Sequence, residues 1–127
     1  MGLTGKLCFA AGLLMVTAPA IAEDGSGEIG YADGALGYDA LVAGDNSSAL
    51  KLLEASKKVH KNDPARLINL GQVYVRTGRL NDAANMFMAA MHNNRSFDLL
   101  LADGTVINSR KAAELALKNL SNNFASR

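Results

Sequence analysis

The densest set of side chains able to do chemistry is Met86-Phe87-Met88-Ala89-Ala90-Met91-His92. Met88 and His92 are one helical turn apart with Met91 beside them, and soft thioethers with an imidazole can hold Cu(I). Methionine also fills irregular gaps between packed helices, and Phe87, Ala90 and Met91 fall on one helical stripe. Packing is the stronger reading, because one short cluster offers few ligands for a closed geometry. The two histidines, His60 and His92, each sit near a predicted helix C-terminus, where a cation suits the dipole. Neither belongs to a motif that pairs a base with an orienting acid, and Asp103-Gly104 reads as a turn. The single cysteine is Cys8, inside an apolar leader, so the remaining chain has no thiol for catalysis, metal or disulfide. These residues imply no enzyme and no cofactor, with a copper site at Met88, Met91 and His92 as the alternative.

The elements that position these side chains are most legible between residues 63 and 91. Leu67, Leu70, Gly71 and Tyr74 recur at i, i+3, i+4 and i+7, so one helix face carries them all. Ala83, Phe87, Ala90 and Met91 form a matching stripe on a second helix. Small Gly71 and Ala83 allow a close approach, which Tyr74 and Phe87 fill above and below. Asp63 is a good N-cap, and Pro64 at the first helical position sacrifices no hydrogen bond. Gly78 suits the left-handed residue after the last turn.

These stations match the pattern W-x2-L-G-x2-Y…A-x3-F, with Leu67 in place of Trp and Leu70, Gly71, Tyr74, Ala83 and Phe87 filling the rest. The stretch resembles the tetratricopeptide repeat family. One family period of about 34 residues upstream, Leu36, Gly37, Gly44, Ala49 and Leu53 stand in register with Leu70, Gly71, Gly78, Ala83 and Phe87. Ala40 replaces the tyrosine there and Asp33 the first large residue. The fold expected is all-α: two tetratricopeptide-like helix-turn-helix repeats plus a C-terminal capping helix, a short α-solenoid. In that family the first helix of each repeat lines a concave, peptide-binding surface. The resemblance therefore implies a partner-binding groove of Tyr38, Leu41 and Val42 from one copy and Asn69, Gln72 and Arg76 from the next. Members that clamp a terminal carboxylate carry an Asn at the place of Asn69, but the lysines completing such a clamp have no counterpart at Gly34 or Tyr38.

The chain reads as a leader (1–22), a flexible acidic and Gly-rich linker (23–30) and a helical domain (31–127). Within the domain, the repeats span about 31–63 and 64–97, and a capping segment spans 98–127. The leader has Lys6, a short apolar run from Leu7 to Val16 and the small-x-small site Ala20-Ile21-Ala22, as a secretory signal peptide does. That run is shorter than the roughly 18 to 20 residues of a membrane-spanning helix, and an uncleaved anchor is the alternative. Cleavage is expected to leave Glu23 first, with no membrane contact thereafter. In the domain, helices are expected over about 32–43, 47–60 and 110–120, with a segment near 97–102 folding back over the stack. Phe124 is a candidate for pinning the C-terminus. With 13 Lys and Arg against 12 Asp and Glu, the chain lacks the basic excess of a nucleic-acid binder. The expected function is non-catalytic binding of a protein or peptide in the bacterial periplasm or outside the cell, as a scaffold or adaptor, with self-association through an open end of the stack as a further option.

Overall fold

A computed structural model describes residue 31 and residues 34–57, 59–101 and 103–126. The leader, the linker and the cleavage site lie outside the described residues, and so does Asp33. The elements run α1 (Tyr38–Val42), α2 (Asn46–Ala55), α3 (Pro64–Arg76), α4 (Leu80–Met91), β1 (Asp98–Leu100), β2 (Val106–Asn108) and α5 (Ser109–Ala125). The fold is mainly helical, with one amendment to the all-α expectation: β1 and β2 form a small antiparallel hairpin. Its register pairs Asp98 with Asn108, Leu99 with Ile107 and Leu100 with Val106. Asp103 and Gly104 make the turn, Gly104 at φ 87 and the Asp103 carboxylate accepting from Thr105 N–H at 2.9 Å. The segment expected to fold back does so as this strand pair, and Leu99 enters the core fully buried.

Helix α3 is the centre of the molecule. From Pro64 to Tyr74 every residue except Arg66 is buried. It starts where the cap chemistry demands: Asp63 accepts from Ala65 N–H at 2.9 Å and Arg66 N–H at 3.3 Å, and Pro64 needs no acceptor. It ends in a Schellman turn. Gly78 is left-handed at φ 79, with Gly78 N–H bonded to Val75 carbonyl and Arg79 N–H to Tyr74 carbonyl, the 5→2 and 6→1 bonds of that motif. Helix α1 ends in the same turn 34 positions earlier. Gly44 has φ 76, Gly44 N–H meets Leu41 carbonyl and Asp45 N–H meets Ala40 carbonyl. In both turns the residue after the glycine is the N-cap of the next helix.

Close packing follows the small residues. A Cβ built on Gly71 would stand 2.3 Å from Phe87 Cε1, so the bare glycine lets the ring lie against α3. Around that contact Ala83, Ala90 and Ile68 are fully buried, and Phe87 itself is 1% exposed. Gly37 faces α2 in a similar manner, its virtual Cβ 3.2 Å from Ala49 O and 3.5 Å from Leu53 Cγ. Helix α5 lays Ala112, Ala113, Ala116 and Leu120 onto the other side of this core. The hairpin base is tied to it by Ser109, fully buried, whose N–H donates to Phe97 carbonyl and whose hydroxyl accepts from Phe97 N–H.

Three expected boundaries move. The first helix, expected over 32–43, is only Tyr38–Val42, because Gly34 and Gly37 both take left-handed φ, 75 and 64, which a helix cannot continue through. The second, expected to reach His60, stops at Ala55. Ser56 is extended there, and Arg66 reaches back from α3, Nε donating to Leu53 carbonyl at 2.9 Å. Leu52, on the same helix, is 42% exposed. The last helix is longer than expected, from an Asn108 cap to Ala125, and Phe124 is 47% exposed, so it pins nothing.

Candidate functional site

The six groove candidates divide sharply. Asn69, Leu41 and Gln72 are buried, Asn69 completely. Asn69 Nδ2 donates to Leu36 carbonyl at 3.1 Å, and its Oδ1 is buried with no hydrogen-bond partner. Arg76 lies at the exposed edge, its Nη1 donating to Leu41 carbonyl at 2.8 Å. Desolvation lowers its pKa, but a guanidinium still stays charged in a protein. The polar strip expected to be free for a partner is thus largely spent inside the molecule, joining α3 to the segment around α1. Asn69 reaches Leu36 carbonyl in the turn before α1, and Arg76 reaches Leu41 carbonyl, one of the last-turn carbonyls that a helix of any length leaves for other donors. Half-buried Tyr38 and Val42, 53% exposed, remain at the surface beside Arg76.

A further link of the same kind holds the N-terminal end. Tyr31 Oη donates to both oxygens of Asp63, at 3.1 and 3.2 Å. Burial first, then the carboxylate charge and the hydrogen bond, push the phenol pKa well up. The Asp63 carboxylate therefore caps α3 and anchors Tyr31 at once.

The methionine cluster is split between interior and surface. Met91 packs against the core, whereas Met88 is 42% exposed. His92 Nδ1 lies 3.1 Å from Met88 carbonyl, a contact that requires the ring to donate. Among the described residues no group of three or more His, Cys, Asp or Glu could hold a metal ion.

What sequence reasoning left apart, the structure brings together. His60 and His92 line one open cleft of about 420 Å³, with Asn62, Asn94 and Arg95 around them and Leu67 and Ala89 as its apolar wall. His60 is not at a helix end, since α2 stops five residues earlier. It sits in the loop before α3, with Nδ1 accepting from Asn62 N–H at 3.1 Å. The facing loop is tied on by Asn93, whose Nδ2 donates to Asn62 carbonyl and whose Oδ1 accepts from Arg95 N–H. Arg110 from α5 braces it, donating to Asn93 and Asn94 carbonyls at 2.9 and 3.3 Å. Among the described residues the lining contains no carboxylate. In the chain the two histidines follow α2 and α4, but nothing in their local sequence places them in one cleft.

No family model, no curated protein and no solved structure matches the chain.

Proposed function

We propose that this chain is a non-catalytic protein-interaction module, built as two tetratricopeptide-like hairpins closed by α5 and acting in the periplasm or outside a bacterial cell. The observation that carries the reading is the recurrence of the turn at Gly44 and Gly78, with the same pair of backbone bonds at each. Counterpart residues behind the two turns are buried alike, Leu36 with Leu70, Ala49 with Ala83 and Leu53 with Phe87. Links between Tyr31 and Asp63, Leu36 and Asn69, and Leu41 and Arg76 span 32, 33 and 35 residues. The last two join one unit to the next, as stacked repeats require, and the first ties the start of the first unit to the cap of α3.

The binding surface on this reading is narrower than six residues. It is the strip of Tyr38, Val42 and Arg76, an aromatic, an exposed aliphatic side chain and a cation able to pair with a carboxylate. Export rests on the leader, whose apolar run and Ala20-Ile21-Ala22 match a cleaved signal.

The test uses Val42→Glu, which removes no core atom and sets an acid in the strip. Wild type and variant are each used to capture partners from a cell-envelope extract, with thermal melts as the folding control. A partner held by wild type and lost by a variant of unchanged melting temperature supports the strip. Equal capture by both chains refutes it.

A further inference from the structure

We propose that the cleft between the loops at 60–62 and 92–95 binds inorganic phosphate in the form that retains one proton, hydrogen phosphate. The site is separate from the strip on α1 and α3, so it stands or falls independently of the protein-binding reading.

The proposal starts from which nitrogen of each imidazole is already used. At His60, Nδ1 accepts from Asn62 N–H, so in the neutral ring the proton sits on Nε2, which is a donor. At His92, Nδ1 faces Met88 carbonyl, so the proton sits on Nδ1 and Nε2 is an acceptor. The two rings thus offer the cleft opposite valences, one N–H and one lone pair. Arg95 adds a guanidinium, the one charged side chain among the described lining residues, and its fork suits a phosphate. Among the described lining residues no carboxylate opposes an anion.

The acceptor at His92 narrows the ligand. A fully deprotonated oxyanion has no hydrogen to give it and would face a lone pair. Hydrogen phosphate has both kinds of oxygen: P–O⁻ for Arg95 and His60, and P–O–H for His92. The same tautomers disfavour a metal. An imidazole that ligates through Nε2 donates its Nδ1 proton to a fixed acceptor, as His92 does, but His60 has its Nδ1 turned to a backbone donor. A cation would also sit beside Arg95. The rigidity needed to hold the two loops at one spacing comes from Asn93 bonded to Asn62 carbonyl and from Arg110 beneath Asn93 and Asn94.

The experiment follows the ring C–H signals of the full chain by NMR. Only two histidines exist, so one substitution assigns both. Inorganic phosphate, sulfate and acetate are titrated at constant ionic strength and about pH 8, above the range in which histidine ordinarily charges. Saturable shifts at both rings are expected with phosphate, at an affinity at least about fivefold above sulfate or acetate, the preference set by the donor its proton supplies. Arg95→Gln should weaken phosphate binding at least about tenfold, since it removes the charge-assisted pair. His92→Ala should level phosphate with sulfate while leaving residual binding through Arg95. Both side chains are exposed, and an unchanged thermal melt confirms that each variant folds. Weak, non-saturating shifts common to all three anions would overturn the proposal. So would full phosphate affinity in the folded Arg95→Gln chain, or stoichiometric Zn²⁺ binding through both rings.

Discussion

Gly71→Ala isolates the contact on which the central helix pair depends. Two effects of opposite sign compete. Gly71 is inside α3, and a glycine there is worse than alanine by about 0.5–1 kcal/mol on helix propensity alone. Exposed, the substitution would stabilise. Here the new methyl would meet Phe87 Cε1, Cδ1 and Cζ at 2.3, 2.7 and 2.8 Å. Carbon atoms in good contact stand about 3.5–4.0 Å apart, so the ring must retreat by more than about 1 Å. It has nowhere to go, because Phe87 is 1% exposed and its neighbours Ala83 and Ala90 are fully buried. Overpacking of this kind costs about 1–3 kcal/mol. At mid-range the clash outweighs propensity, and the net loss should be about 1 kcal/mol, within roughly 0–2.5 kcal/mol. Urea unfolding measures it, and Phe87→Leu completes the cycle. Alone, that change leaves a cavity costing roughly 1–2 kcal/mol. Combined with Gly71→Ala, the cavity receives the new methyl, so the double mutant should be more stable than the sum of the singles by at least about 1 kcal/mol. A more stable Gly71→Ala, or additivity within about 0.3 kcal/mol, would show that α3 and α4 do not touch at this point.

Asn69→Ala should destabilise by more than about 1 kcal/mol, because it removes a buried hydrogen bond to Leu36 carbonyl; an unchanged urea midpoint would place Asn69 on a free surface after all. The raised Tyr31 pKa gives an alkaline signature: the folded chain keeps a proton that the unfolded chain releases above about pH 10, so stability is constant below that pH and falls as pH rises through it. Tyr31→Phe should flatten that part of the fall, and parallel pH profiles of urea midpoints for the two chains would refute the Tyr31–Asp63 bond. Deleting residues 108–127 uncovers the face on which Ala112, Ala113, Ala116 and Leu120 rest; aggregation or a non-cooperative melt is expected, and a cooperative monomer with the parental melting temperature would show that α5 is dispensable.

How far the chain can be read depends on the range of the interaction that decides each feature. Caps and stops are local chemistry. Asp63-Pro64, Gly78 and Gly44 act on bonds within a few residues, and their positions are legible. The pairing of α3 with α4 is legible too, because Gly71 and Phe87 are fixed by helical spacing within their own segments. The first helix is shorter than its apolar pattern predicts, because its glycines override its periodic residues. Leu36 and Leu41 do enter the core, but they do so from a left-handed turn and a five-residue helix. Hydrophobic spacing records which side chains are buried, and it does not record what the backbone does between them.

At the groove the outward strip of α3 is used internally: Asn69 bonds to Leu36 carbonyl in the left-handed turn that replaces the first part of the expected helix, and Arg76 bonds to Leu41 carbonyl at the helix end, which lies where it was expected. The same side chains that would recognise an extended peptide backbone recognise the chain's own backbone first. The cleft at His60 and His92 is hidden from the sequence for a complementary reason. Its meaning lies in which ring nitrogen each backbone neighbour occupies, and a tautomer is set by three-dimensional partners, not by spacing. Two histidines near helix ends have identical sequence signatures whether both point to solvent or one gives and the other accepts. Only the second arrangement discriminates a ligand that carries its own proton from one that does not, and the phosphate and sulfate titrations distinguish the two.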